Sequence, residues 1–123
     1  MPIVAIFALV DAYPQPAEYH LFADTRKIFS IPNFWNVVSN ALFLVFGFAG
    51  LILLGANAHL AILSRLKPAC YVLFFGILLT AFGSAWFHLA PNNDTLFWDR
   101  LPMTIAFMPL FTLIFGEHVS ARW

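Results

Sequence analysis

Three long stretches of this chain carry no formal charge, and they limit what it can fold into. No Asp, Glu, Lys or Arg occurs in residues 28–64, 68–93 or 101–116. About 20 apolar residues in a helix span the hydrocarbon core of a bilayer. Backbone polar groups at that depth must be satisfied inside the segment, which helices do. A soluble domain is roughly 45–50% apolar and about 25% charged. This chain of 123 residues is 62% hydrophobic and 10% charged, with mean hydropathy +0.84. The expected fold class is all-α: a polytopic transmembrane helix bundle, one membrane domain over residues 1–123, integral to the membrane and multi-pass. Six basic and six acidic residues cancel. With no basic cluster, the sequence argues against nucleic acid as a partner. It names no protein partner.

Residues 1–10 are apolar but short, an N-terminal stub without the basic flank of a signal peptide. Residues 11–32 are polar and broken by Pro14, Pro16 and Pro32, which reads as a loop outside the membrane. The first helix is expected over residues 34–54, just after Pro32. A loop over 55–67 leads to a second helix over 69–89, with Pro68 at its entry. Residues 90–100 contain Pro91-Asn92-Asn93-Asp94 and read as a turn-rich loop. The third helix is expected from Leu101, with Pro102 in its first turn, a bend at Pro109 and an apolar face up to Gly116. About three spans result. Arg65, Lys67 and Arg122 fall on one side, and Arg26, Lys27 and Arg100 on the other, so basic residues set no orientation. Cys70 sits in an apolar run and reads as packing.

The polar residues inside the spans are the functional signal, because lipid rejects them. Ser84 and His88 close the second segment. Asp99 precedes the third. Asn36, Ser39 and Asn40 lie in the first half of the first. Three alternating spans place all of these at one end of the bundle. Thr80, Ser84 and His88 share one helical stripe, as do Asn33, Asn36 and Asn40. Gly76 and Gly83 suit close helix approach. Each has a plain alternative. Ser84 bonds a carbonyl one turn back; Asn36 and Asn40 bond between helices; Asp99 caps the third helix; His88 is an interfacial histidine. His20, His59 and His118 read as loop or chain-end residues rather than metal ligands. Trp35, Trp86 and Trp98 fit an interfacial belt.

The order Asn33-Phe34-Trp35-Asn36-Val37-Val38-Ser39-Asn40, then Ser84-Ala85-Trp86-Phe87-His88, then Asp99-Arg100-Leu101-Pro102 resembles the alkaline ceramidase family. That family lies within a superfamily of seven-helix membrane hydrolases. Progestin/adiponectin-type receptors and lipid-remodelling proteins of the GPI-anchor pathway also belong to it. Tyr19-His20-Leu21-Phe22-Ala23-Asp24, followed by Ile31-Pro32-Asn33-Phe34, is similar to the bacterial branch. The resemblance implies the first part of a seven-helix bundle in the bacterial inner membrane, with an intramembrane zinc. His88 is implied as one of three zinc ligands, and Ser84 and Asp99 as catalytic residues around the water and the substrate amide. The implied reaction hydrolyses the N-acyl amide of a ceramide-type membrane lipid to a sphingoid base and a fatty acid.

Two departures follow from the same resemblance. The family's other two histidines come from a late H-x-x-x-H helix that this sequence lacks, so the chain is expected to be an N-terminal portion. Animal members bind calcium near the first helix through acidic residues. Glu18 and Asp24 are candidates here, but Asn33 stands where a glutamate is expected, and the calcium site is not carried over. Two other readings stand beside the hydrolase. One is a receptor-like or lipid-remodelling relative. The other is a non-catalytic membrane protein whose polar stripes serve helix association.

Overall fold

The structure is a computed structural model that describes residues 14–56 and 64–118. The expected N-terminal stub, His59 and Arg122 lie outside the described residues. A one-turn 3-10 helix, Ala17–His20, precedes α1 (Phe34–Ser39) and α2 (Ala41–Ala56). A second such turn, Ser64–Leu66, leads into α3 (Lys67–Leu89), and α4 (Asn93–His118) follows. Among the described residues there is no strand, and the all-α expectation holds.

The first apolar segment forms, with a break at Asn40. Its cause is local. Ser39 Oγ and Asn40 Nδ2 both donate to the Asn36 carbonyl, at 3.0 and 2.7 Å. That oxygen is then lost to the regular ladder, and the Asn40 N–H turns to Val37 O at 3.2 Å. Side chains that bond nearby carbonyls bend helices in this way. Phe34–Ala56 nonetheless runs as one apolar stretch of 23 residues, and Lys67–Leu89 as another of 23. These two are long and apolar enough to cross a membrane. The helix of a soluble core is mostly buried, whereas only 17% and 39% of these are covered. The third expected span is a helix, but it does not join that pair among the described residues.

α4 starts eight residues earlier than the sequence suggests, which corrects both the loop over 90–100 and the place of Asp99. Asn92 Oδ1 accepts the Thr95 N–H at 2.9 Å, and Thr95 Oγ1 accepts the Asn92 N–H at 3.2 Å. This reciprocal cap satisfies two donors that a helix start otherwise strands. Asp94 in the first turn suits the positive helix end. The Pro-Asn-Asn-Asp run therefore begins a helix instead of a long loop. Asp99 lies in the second turn and caps nothing. Pro102 is interior, along with Pro109.

α3 is the central helix, with α2 on one side and α4 on the other. Gly47 of α2 lies against the Leu78 backbone, and Gly76 of α3 against the Ala106 backbone. A Cβ at Gly83 would overlap the Trp98 carbonyl oxygen. Pro102 has no N–H to offer that carbonyl, so the close approach of Gly83 fills a place where the α4 ladder is open.

Residues 14–33 form a strap across the end where α1 and α4 begin and α3 finishes. The Gln15 N–H donates to Asn93 Oδ1 at 2.8 Å, and Arg100 donates to the Tyr19 hydroxyl. Asp24 accepts from Arg26 Nε and from the Trp35 N–H, each at 2.8 Å. The second bond ties the strap to the first turn of α1. A tight turn at Phe29 and Ser30, both at positive φ, is closed by mutual bonds between Ile28 and Ile31. Asn33 also adopts the left-handed conformation, with φ 48°, which asparagine tolerates better than most residues.

Two outcomes follow. Gly83→Ala should destabilise the protein by about 1–3 kcal/mol, because it overpacks against backbone. Gly55→Ala, where a Cβ meets nothing within 4 Å, should not. Thermal unfolding in detergent compares them, and equal midpoints would contradict this packing. The Arg26 guanidinium hydrogen bond holds the Asp24 carboxyl below the usual carboxylate range. A lowered folded-state pKa adds stability above that range, lost as pH falls through the lowered value. Asp24→Asn should therefore flatten the acid limb of stability, read as thermal midpoint against pH.

Candidate active site

The strapped end of the bundle collects the polar residues. α3 carries Thr80, Ser84 and His88 on one stripe. Thr80 and Ser84 are each 4% exposed. The bond back to the preceding turn is made by Thr80, whose Oγ1 donates to Gly76 O at 2.9 Å. Ser84 makes no such bond among the described residues. Its hydroxyl lies one turn from His88 and beside the contact of Gly83 with Trp98.

His88 occupies the last turn of α3. Its carbonyl accepts from Asn33 Nδ2 at 2.8 Å, which satisfies an oxygen that a helix end leaves open. Its ring packs edge-on against Phe22, with centroids 4.6 Å apart. Nδ1 is buried, with no partner among the described residues. Asp99 of α4 is 5% exposed and lies within electrostatic reach of the His88 ring. Its Oδ2 is 3.7 Å from Arg100 Nε, longer than a hydrogen bond, and its Oδ1 is buried without a partner among the described residues. A buried carboxylate left this way is costly. Such groups gather where they are used in chemistry.

The antiparallel course of α3 and α4 thus brings Ser84, His88 and Asp99 to one end of the molecule. The expectation for Asn40 is corrected. Asn40 is buried, but its amide bonds Asn36 within the same helix turn. Asn33 is the one that reaches across, to His88. Two further residues that the sequence did not mark as site residues, Phe22 and His20, are brought to this end by the strap. The signals for them were a His and aromatic residues inside a proline-flanked polar segment, in the stretch Tyr19-His20-Leu21-Phe22 that carries part of the resemblance. His118 is exposed at the far end of α4, where its Nδ1 lies 3.0 Å from Ile114 O. Trp35, Trp86 and Trp98 are half-exposed at the strapped end, and Trp86 stacks on Trp98 at 6.1 Å.

Below Ser84, between α2, α3 and α4, lies an apolar groove of about 320 Å³. Phe43, Ile77, Thr80, Met103 and Phe107 are among the residues lining it. Thr80 places its upper end one turn from Ser84.

Metal fit is uneven. The lone Nδ1 of His88 suits a ligand position, since a neutral imidazole is a common metal ligand. Among the described residues no three His, Cys, Asp or Glu side chains gather to hold an ion. Calcium does not fit the strap, where both Asp24 oxygens already accept from Arg26 and Trp35.

Residues 27–123 match the ceramidase family. The match takes in both polar stripes and Asp99, and leaves out most of the strap. No curated protein and no solved structure matches the chain. Since the family match extends over more than three-quarters of the sequence, this chain belongs to the ceramidase family.

Proposed function

We propose that the strapped end of the bundle is the site of a ceramidase-like amide hydrolase acting on N-acyl lipids of the ceramide type. The observation that carries this reading is the pair of buried, unpartnered atoms, His88 Nδ1 and Asp99 Oδ1. They share the strapped end with Ser84, one turn before His88 on α3, and an apolar groove opens further along α3 at Thr80. Asp99 is the group that accepts the proton of the attacking water and passes it to the leaving amine. Ser84 Oγ–H donates to the amide oxygen as negative charge develops there. The groove takes the acyl chain, and its apolar walls keep water from that end of the lipid. His88 is held in register by the Asn33 bond to its carbonyl, and would serve as one ligand of a catalytic zinc. When bound, zinc lowers the pKa of a water to about 7 and polarises the amide oxygen.

The setting is a membrane. A helix of 23 residues is about 35 Å long, enough for a hydrocarbon core of roughly 30 Å. The half-exposed tryptophans at the strapped end fit the interface. The site would lie near one surface of a multi-pass protein of the inner membrane, where a lipid amide sits just below its headgroup. One observation weighs against the non-catalytic reading. Stripes that glue helices together need bonds between helices, yet Thr80 and Asn40 bond within their own helices and only Asn33 of the stripe residues with a described bond reaches another helix.

Hydrolysis of an N-acyl sphingoid base, read as released fatty acid by mass spectrometry, tests the assignment. Asp99→Asn should lower turnover by about 100- to 10,000-fold, and Ser84→Ala by about 100- to 1,000-fold. His88→Ala should abolish it, with an unfolding midpoint close to wild type. Undiminished turnover in His88→Ala would sink the proposal.

A further inference from the structure

His20 is used by neither the fold nor the chemistry above. Both its ring nitrogens are buried, and neither has a partner among the described residues. A neutral imidazole carries one donor and one acceptor, and burying both without a protein partner is unfavourable. Packing does not account for the choice of residue. The ring meets Phe87 edge-on at 5.7 Å, a contact that phenylalanine makes without burying polar atoms.

Its location narrows the explanation. Tyr19, on one side, accepts from Arg100, the neighbour of Asp99. Phe22, on the other, packs on both Phe87 and His88, with centroids 5.5 and 4.6 Å apart. The strap is therefore tethered on either side of His20, to Arg100 next to Asp99 and to His88. Among the described residues, every buried side-chain nitrogen or oxygen without a partner belongs to His20, His88 or Asp99. Unsatisfied groups in a native structure need a reason, and here they gather at one end of the molecule.

We propose that His20 binds the hydroxyl-bearing head of the lipid. A hydroxyl both donates and accepts, as does a neutral imidazole. The strap holds His20 over the end where the amide would lie, so it would hydrogen-bond an alcohol on the amine side of that amide. His20 would thus select N-acyl amino alcohols over simple fatty amides. This rests on the hydrolase reading for the position of the amide and adds the residue that reads its amine half.

The test compares binding of a short-chain N-acyl amino diol with that of an N-alkyl amide of equal carbon count lacking hydroxyls. Intrinsic tryptophan fluorescence of the full chain in detergent reads binding, with a chelator present to prevent turnover. Wild type should prefer the diol by roughly tenfold, the worth of one hydrogen bond. His20→Phe should bring the ratio to about one while its unfolding midpoint stays at or above that of wild type. His20→Leu should do the same if the larger ring is not accepted. Tyr19→Phe loosens the strap without touching His20 and should keep the preference. No preference in wild type, its survival in His20→Phe or His20→Leu, or an equal loss in Tyr19→Phe would overturn the proposal. A chain that prefers the diol through His20 but never cleaves the amide would refute the hydrolase reading and leave this one standing.

Discussion

The close approach of α3 to α4 at Gly83 is the contact on which the site depends. Gly83 lies against the Trp98 carbonyl, and Ser84 and Asp99 each adjoin that contact in sequence, on α3 and α4. His88 follows one turn above Ser84. A side chain at position 83 would push the helices apart, and interiors packed to crystal density do not absorb such a change freely. The same contact meets the one carbonyl in that part of α4 that Pro102 leaves without its ladder partner.

The strap completes what the helices begin. Three long helices give an open end. Residues 14–33 cross it through bonds to Asn93, Arg100, Trp35 and His88. The bond from Asn33 joins the start of α1 to the end of α3, and so fixes the backbone that carries His88. Asp24 meets an internal cation, Arg26, and a helix N–H. Its charge is thus answered within the chain. Side chains held this way keep a site in one geometry before the substrate arrives.

Much of this was legible in the sequence. Charge-free runs located the bodies of the helices, and the expectation that successive helices run back and forth set Ser84, His88 and Asp99 at one end, where the structure has them. The spacing of Gly76 and Gly83 foretold the close helix contact. Less was legible where one side chain decides the outcome. Asn92 and Thr95 form a reciprocal cap, and that turned an apparent loop into the first turns of α4. The break at Asn40 depends on two side chains competing for one carbonyl, which no periodicity reveals. Asn33 and His88 are 55 positions apart, and only the fold joins them. His20 looked like a loop residue because burial of its nitrogens depends on Phe87 and the strap around it.

The central claim is that this end of the bundle cleaves an amide in a lipid. The most direct test gives the protein in detergent a panel of ceramides, phospholipids and glycerolipids in water enriched in oxygen-18. Products are then read by mass spectrometry. The account predicts a free sphingoid base and a fatty acid carrying one labelled oxygen, from ceramides and not from the ester lipids. Label appearing instead in acids released from phospholipids or glycerolipids, or no label in any product, would contradict it.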